Sequence, residues 1–574
     1  MHRDETFDKT AVDEYLAGQL DRRAFFQRAS ALGLSMSAAA TLLAACASGN
    51  SGGHSSSAPV VTATSTSVNP ADIKKGGQLV EGYDRDFSKI DPVLTPWDDP
   101  SFVAIYEYTV VRDKNGQIVP SLFSSWDVSS DLLTWTFQLR PNLKFQSGAP
   151  CDAAAVAANF NIFRNPNLGE NAIFWPTVKN VTSVGPTTVV VTMKTPFAAF
   201  TETLATENSM ILNLATRKKL GNNYGATGTD GTGAFQFESY QPGTAVTVKR
   251  WDEYPGSGIP YIQNKGPAYL DSVQWVPIVQ TGSRADEIET GTVNVVKNPA
   301  PQDVTRLMAN SGLVTTEFPA LANWWISPNC ARADLGFNDV RVRQAMSHAI
   351  NREALVQSLY FGHAIATYGP LAPNVVWYNK AVEQYNQFDP DKSKSLLDAA
   401  GWKVGAGGVR TKNGKQLSFT HYCDSGQPTT SPQLDEAIAP MLADVGINMT
   451  VKVVDDATFN KLVYGGGNGP ASWSYEWLWA SPVDLLVYFH VVPSDAANGS
   501  IPAVKQACAA WQSAGTRAQM AAAADALQLA WAQSLPKIPI LTTYNIWVSQ
   551  KKVMGYTPLQ TMLYPQYNDV WLNA

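Results

Sequence analysis

The stretch PSLFSSWDVSSDLLTWTFQLRPNLKFQSGAPCDAAAVAANFNIFR, residues 120–164, decides the fold. Apolar and polar side chains alternate over residues 133–139, which predicts a half-buried strand. Residues 147–150 contain the Gly and Pro of a turn, and Asp152 is placed to cap the helix that follows. The apolar stripe of this helix is formed by Val156, Phe160 and Phe163. The stretch therefore predicts a strand–turn–helix scaffold and no chemistry of its own.

Composition bounds the class of protein. A chain of 574 residues is long enough for two or three lobes, and 45% hydrophobic with 16% charged residues is ordinary for a globular protein. The net charge of -6, without a basic stripe, gives no sign of a nucleic-acid partner. The 17 Trp and 21 Tyr fit either core packing or a large cavity that stacks on its ligand.

Residues 1–46 are predicted to be a targeting segment, outside the fold. Residues 21–27 (DRRAFFQ) resemble the twin-arginine export motif, although Arg22 and Arg23 would also serve as an ordinary positive n-region. A weakly apolar run ends at LAAC, which resembles a lipobox with Cys46 as the lipidated residue. Its Ser and Thr residues and its length below about 20 residues argue against a transmembrane anchor. Residues 47–75 are rich in Ser, Thr, Ala and Gly and predict a flexible tether.

Enzyme signatures are absent from the sequence. Beyond the tether, HExxH, GxSxG, GxGxxG and P-loop motifs do not occur, and the histidines are widely spaced. We therefore expect no catalytic residue, no metal centre and no cofactor. Four cysteines follow Cys46, and three full pairings of them are possible in an exported protein.

The opening stretch also resembles the signature of the family 5 solute-binding proteins of ABC importers, the dipeptide/oligopeptide-binding class. Two further segments resemble that family: FNDVRVRQAMSHAINR at residues 337–352 and QFDPDKSKSLLDAAGW at residues 387–402. With the tail, the resemblance extends from about residue 76 to the end. The signature positions that agree are Leu122, Ser125, Trp126, Ser129, Asp131, Thr134, Thr136, Phe137, Leu139, Arg140, Lys144, Phe145, Gly148 and Pro150.

The resemblance implies an α/β protein of the periplasmic-binding-protein type II fold, with two hinged lobes and an extra subdomain. It places lobe I at about residues 76–107, 226–314 and 536–574, subdomain II at 108–225, and lobe III at 315–535. It also implies a monomer that binds a peptide or other small solute at the periplasmic or extracytoplasmic face of the membrane. Its expected partners are the permease and ATPase subunits of an importer, and it reaches the membrane through its lipid anchor.

The resemblance places residues 473–484 (WSYEWLWASPVD) at the ligand cleft. Four aromatic residues alternate there, at 473, 475, 477 and 479, and in a strand they would share one face. That face would either line the cleft or pack into the core. The candidate ligand-binding residues are Tyr83, Trp97, Trp324, Trp325, Tyr475, Glu476, Trp477, Trp479 and Asp484.

The ligand itself stays open. Peptide-binding relatives often carry an Asp that pairs with the peptide ammonium, and alignment on Trp477 puts Ala480 at that position. Glu476 or Asp484 would have to substitute; otherwise the ligand is an oligosaccharide, an opine or a metal chelate. Two other classes also remain, a sensor or chemoreceptor partner on the same fold and an exported hydrolase. By resemblance, Cys330 and Cys423 share a lobe, which favours their pairing.

Overall fold

The structure is a computed structural model. It describes residues 72–87, 89–94, 99–165, 167, 172, 175–206, 209–425, 431–464, 469–478, 498 and 500–573. The predicted leader, with Cys46 as its lipidation site, and most of the tether lie outside these residues. Within them, no helix combines the length and the apolar character that crossing a membrane requires.

The described chain alternates strands with helices. The strands are β1 (Gln78–Tyr83), β2 (Val110–Arg112), β3 (Ile118–Pro120), β4 (Phe123–Val128), β5 (Thr134–Leu139), β6 (Val178–Val184), β7 (Thr188–Met193), β8 (Phe235–Gln241), β9 (Ala245–Arg250), β10 (Ser272–Pro277), β11 (Val295–Lys297), β12 (Leu313–Pro319), β13 (Ala322–Pro328), β14 (Ala364–Ala366), β15 (Lys403–Val404), β16 (Arg410–Lys412), β17 (Lys415–Gln416), β18 (Ser418–Asp424), β19 (Asn448–Val454), β20 (Ser472–Leu478), β21 (Ile538–Gln550), β22 (Val553–Met554) and β23 (Trp571–Leu572). The helices are α1 (Pro100–Ile105), α2 (Ala153–Phe163), α3 (Phe200–Leu204), α4 (Leu214–Leu220), α5 (Thr281–Thr290), α6 (Pro301–Ala309), α7 (Val340–Ala349), α8 (Arg352–Tyr360), α9 (Pro390–Ala399), α10 (Ser431–Ala443), α11 (Asp456–Tyr464), α12 (Pro502–Ser513) and α13 (Arg517–Ser534).

The opening stretch forms the scaffold that its pattern predicts. The alternating residues become β5, which lies between β4 and β7 in an antiparallel sheet of order β4-β5-β7-β6. Asp152 caps α2, since its side chain accepts a hydrogen bond from the backbone N–H of Ala155 at 2.9 Å. The stripe of Val156, Phe160 and Phe163 is buried against this sheet, so the predicted strand and helix are both confirmed.

A large mixed sheet organises the rest of the chain, with strand order β19-β18-β20-β13-β21-β11-β1-β10-β9-β8. One half, from β11 to β8, contains the parallel neighbours β1, β10 and β11. The other half, from β13 to β19, packs its own buried core of aliphatic and aromatic residues under α7, α8 and α10. We call these the first half and the second half of the sheet.

The long strand β21 joins the two halves. Its residues 538–543 pair with β13 and β14 of the second half, and its residues 544–550 pair with β11 and β12 on the side of the first half. The chain also crosses between Pro319, where β12 ends, and Ala322, where β13 begins. The halves are therefore linked by neighbouring backbone crossings, an arrangement that permits hinge motion.

The cysteines correct one expectation. No disulfide joins Cys151, Cys330, Cys423 and Cys508, all of which the structure describes. Cys423 lies in β18 and Cys330 follows β13, and β20 runs between those two strands. Two strand spacings alone separate the strands by about 9–10 Å, so the cysteines are at least that far apart, which exceeds the reach of a disulfide. The expected pairing of Cys330 with Cys423 is therefore wrong in this structure.

Candidate functional site

Charged side chains collect where two parallel strands of the first half end. Asp84 and Arg85 directly follow β1, and Lys297 is the last residue of the neighbouring parallel strand β11. Ligands of open α/β sheets bind in the crevice outside the carboxyl ends of the strands. This edge of the sheet is therefore the first place to look for a binding site.

Asp84 is a fixed anion of this edge. Its side chain is fully buried; it accepts a hydrogen bond from Asn298 Nδ2 at 2.9 Å, and Arg85 Nε lies 3.4 Å from its Oδ1. Burial alone would raise the pKa of Asp84, but Lys297, Arg85 and Arg284 together with the Asn298 hydrogen bond lower it to about 2. Asp84 is therefore ionised at neutral pH.

Arg284 of α5 holds this edge of the sheet together. Its buried guanidinium donates to the backbone carbonyls of Ile278 at 2.8 Å, Val279 at 3.0 Å and Asp84 at 3.1 Å, and to that of Asn298. These carbonyls follow three different strands, so one side chain fixes the ends of β1, β10 and β11 relative to one another. Arg284 is thus a positioning residue for Asp84 and Lys297.

The ammonium group of Lys297 is surrounded by aromatic rings. It lies 5.6 Å from the ring centroid of Tyr83, 5.6 Å from that of Trp547 and 5.0 Å from that of Tyr564. The residue is 6% exposed, and burial lowers its pKa although Asp84 opposes that effect. The rings stabilise the cation through their negative faces but accept no conventional hydrogen bond from it.

A buried carboxyl lies behind this cluster. Glu81 of β1 is 1% exposed and accepts hydrogen bonds from Tyr567 Oη at 2.8 Å and Tyr556 Oη at 3.1 Å. Burial raises the pKa of Glu81 to about 7, although the two tyrosines and Lys297 act in the opposite direction. The C-terminal segment therefore supplies the donors that allow an acid to lie inside the first half.

The second half of the sheet contributes Glu476 of β20. Thr543 of β21 donates a hydrogen bond to its Oε1 at 2.7 Å. Burial raises the pKa of Glu476, whereas the Thr543 hydrogen bond, Arg85 and Lys297 lower it. Since Arg85 and Lys297 belong to the first half, charged groups of the two halves lie within electrostatic range of one another here. We call Asp84, Arg85, Lys297 and Glu476 the interlobe cluster.

The predicted aromatic residues divide between core and cluster. Tyr83 is fully buried, and its hydroxyl hydrogen-bonds that of Tyr564 at 2.8 Å, so it supports Arg85 and Lys297 from beneath. Trp324 lies in the core of the second half. Trp325 is also buried and packs edge-on against Trp531 at 5.2 Å. In this conformation the rings of Tyr83, Trp324 and Trp325 offer no surface to a solute, because packing has already covered them.

Strand β20 exists where the alternation predicts it. Tyr475 is partly buried and stacks on Phe459 of α11 at 5.7 Å, and it lies within electrostatic reach of Arg85. The backbone of Trp477 pairs with Asn323, but its side chain is outside the described part of the structure. Trp97, Trp479 and Asp484, three further candidates, also lie outside the described residues.

Asp84, Arg85 and Lys297 are not among the residues that the sequence singles out. A signal for them exists, because Asp84 and Arg85 directly follow the first predicted strand and Lys297 follows the apolar pair at residues 295 and 296. This signal predicts a shared site only when it is known that β1 and β11 are parallel neighbours, so that their ends lie side by side. Among the residues that the structure describes, no group of three or more His, Cys, Asp or Glu side chains could hold a metal ion.

Comparison with solved structures identifies the class. The chain is similar to the periplasmic binding protein DppA from Helicobacter pylori in complex with the peptide STSA, with a TM-score of 0.72 and 23% identity over 87% of this chain and 99% of that one. It is also similar to NikA from Brucella suis in complex with Fe(III)-EDTA, with a TM-score of 0.74 and 20% identity over 87% of this chain and 100% of that one. The fold is therefore the two-lobed periplasmic-binding-protein type II fold, as expected.

The sequence comparisons identify the family. The model of the bacterial extracellular solute-binding proteins, family 5 Middle, matches residues 117–496, more than half of the chain. The chain belongs to this family. Over 345 residues it is 29% identical to the glutathione-binding protein GsiB of Pectobacterium atrosepticum. The matched region makes up 60% of this chain and 62% of that protein. The match thus spans less than two thirds of the length of this relative.

Proposed function

We propose that this chain is an extracytoplasmic solute-binding lipoprotein that delivers a peptide or similar-sized solute to an ABC importer for transport across the membrane. The observation that carries the proposal is the interlobe cluster, in which Glu476 of the second half lies within electrostatic range of Arg85 and Lys297 of the first half. A solute held there would contact both halves and favour their closure about the crossings at β21 and between β12 and β13. The similarity to a glutathione-binding protein and to a peptide-bound DppA supports the same function.

The remaining parts of the proposal concern partners and organisation. The closed protein would dock as a monomer on a permease whose separate ATPase subunits supply the energy. It would itself catalyse no reaction. Lobe I would comprise about residues 76–107, 226–314 and 536–574, subdomain II about 108–225, and lobe III about 315–535. The crossings within β21 and between β12 and β13 would form the hinge, which lies a few residues beyond the expected boundaries of lobes I and III.

The anchor is tested separately from binding. Lipid attachment at Cys46 requires that its thiol is present, so Cys46→Ala should release the protein from membranes into the soluble fraction. Metabolic labelling with a radioactive fatty acid should mark the wild-type protein and not the variant. Labelling of both proteins would place the lipid elsewhere or refute the anchor.

Solute binding is tested by a thermal-shift screen of purified protein lacking residues 1–46. The screen contains glutathione, di- to pentapeptides, oligosaccharides, opines and nickel chelates. A ligand at about 100 times its dissociation constant adds about 2.7 kcal/mol to the free energy of unfolding. Saturable stabilisation by one of these solutes supports the proposal. If none of them stabilises the protein, the proposed function is refuted for these solute classes.

The second candidate function is binding of a non-peptide solute for the same kind of importer. It is favoured by Ala480, which occupies the position of the ammonium-binding Asp of peptide-binding relatives. Stabilisation by peptides, lost in Glu476→Gln, would mean that Glu476 substitutes for that Asp. Stabilisation only by sugars, opines or chelates would favour the second candidate.

A further inference from the structure

The interlobe cluster contains a cation whose hydrogen-bond donors have no acceptor among the described residues. Lys297 is 6% exposed, and the contacts of its ammonium group are the rings of Tyr83, Trp547 and Tyr564. An ammonium group has three N–H donors, and buried donors of this kind are nearly always hydrogen-bonded. A buried cation whose donors meet no acceptor among the described residues, at the sheet edge where ligands of such folds bind, is suited to an acceptor that a solute supplies.

Arg85 contacts the same aromatic ring as Lys297, and its guanidinium also carries N–H donors. Its guanidinium carbon is 5.8 Å from the centroid of Tyr83, the ring that Lys297 also contacts at 5.6 Å. Its Nε faces Asp84 at 3.4 Å, and its terminal nitrogens donate to none of the described residues. The side chain is 50% exposed, so these nitrogens remain open to an incoming group.

The nearby acids, in contrast, already have donors of their own. Asp84 is bound by Asn298, and Glu476 by Thr543. Tyr556 and Tyr567 bind Glu81, and the backbone N–H of Ser101 donates to Asp99 at 2.8 Å. The cluster therefore satisfies its acceptors internally and leaves donors on Lys297 and Arg85.

We propose that Lys297 and Arg85 form an anion subsite that binds a carboxylate group of the solute. The proposal rests on the proposed function and adds a requirement to it, namely a carboxylate on the ligand. A carboxylate presents only acceptors and a single negative charge, and it matches a guanidinium in geometry. A dianion such as phosphate is disfavoured more than a carboxylate, because the ionised Asp84 lies 3.4 Å from Arg85 Nε and repels a double negative charge more strongly.

The first experiment uses small probes, so it does not depend on knowing the ligand. Acetate, glutarate and phosphate are titrated into the purified protein at neutral pH and constant ionic strength, and binding is followed by calorimetry and by thermal shift. We expect saturable binding of acetate and glutarate. Lys297→Met, which keeps the length of the side chain, should weaken it by about tenfold to a hundredfold, the loss expected for one hydrogen bond to a charged group.

Matched variants separate the subsite from a general effect of charge. Arg85→Gln should also weaken carboxylate binding, whereas Lys249→Met and Arg306→Gln remove the same charges from exposed positions and should not. The melting temperature without probe shows whether each variant is folded. Equal carboxylate affinity in Lys297→Met and wild type, absence of carboxylate binding by the wild type, or binding of phosphate alone would each overturn the proposal.

The source of the carboxylate is resolved with peptides. A dipeptide such as glycylglycine is compared with its C-terminal amide, and the same comparison is made for a peptide amide that carries a glutamate side chain. If the peptide amide does not bind, the subsite takes the C-terminal carboxylate of the peptide. If the peptide amide with a glutamate side chain binds again, the subsite accepts any carboxylate of the solute. A solute that stabilises the protein without any carboxylate, with unchanged affinity in Lys297→Met, refutes the subsite while the proposed function stands.

Discussion

Glu81→Gln is expected to change how the stability of the protein depends on pH. The pKa of Glu81 is raised from its ordinary value of 4.5 to about 7, so the folded state holds its proton over a range where the unfolded state has lost it. Stability therefore falls as the pH rises from 4.5 to about 7, and stays lower above that. Each pKa unit corresponds to about 1.4 kcal/mol, so Glu81 accounts for a loss of about 3 kcal/mol across this window.

The measurement is urea unfolding of wild type and Glu81→Gln at about pH 5 and about pH 8. Gln cannot ionise, so the stability of the variant should lack this pH-dependent loss. Relative to the wild type, its free energy of unfolding should rise by about 3 kcal/mol from about pH 5 to about pH 8. Its altered hydrogen bonding with Tyr556 and Tyr567 is the same at both pH values and cancels in the comparison. Glu107 and Asp99, with pKa values of about 7 and about 6, remain in both proteins.

Glu238→Gln is the matched control, because Glu238 is exposed on β8. Its stability should follow that of the wild type at both pH values. If Glu81→Gln and wild type differ by the same free energy at about pH 5 and about pH 8, the buried carboxyl does not carry the assigned proton. The reasoning from burial would then be refuted.

Three further predictions test the scaffold. Asp152→Ala should cost about 1 kcal/mol in urea unfolding, because the helix α2 loses its N-cap; an unchanged midpoint would contradict the cap. Phe160→Ala should cost about 3–5 kcal/mol, since a fully buried ring leaves a cavity, and a loss below 1 kcal/mol would show that the site collapses around it. Alkylation of the denatured, unreduced protein should modify all four cysteines beyond residue 76, and mass spectrometry counts the modified residues. Two cysteines left unmodified would indicate a disulfide.

Local patterns predicted the secondary structure because their causes are local. The alternation at residues 133–139 produces β5, and Asp152 caps α2 by a bond that spans three residues. The turn at residues 114–116 connects β2 and β3, and residues 185 and 186 separate β6 from β7. Each of these features depends on neighbours along the chain, which the sequence displays directly.

The interlobe cluster could not be predicted in the same way, because its members come from three places in the chain. Lys297 and Asp84 approach only because β11 pairs in parallel with β1, and Glu476 joins them through β20. The aromatic content of the sequence was no guide to the difference between core and cleft. Trp324 and Tyr83 are fully buried, and nothing in the residues beside them distinguishes that role from contact with a ligand.

Strand β20 shows why one sequence pattern can have two outcomes. Alternation places Trp473 and Tyr475 on the same face, and both rings contact Phe459, at 5.8 Å and 5.7 Å. Trp473 is almost completely buried at one end of that face, whereas Tyr475 is only partly buried and reaches toward Arg85. The core interpretation of the aromatic alternation therefore applies to Trp473, and the cleft interpretation stays a prediction for the residues that follow it on the same face.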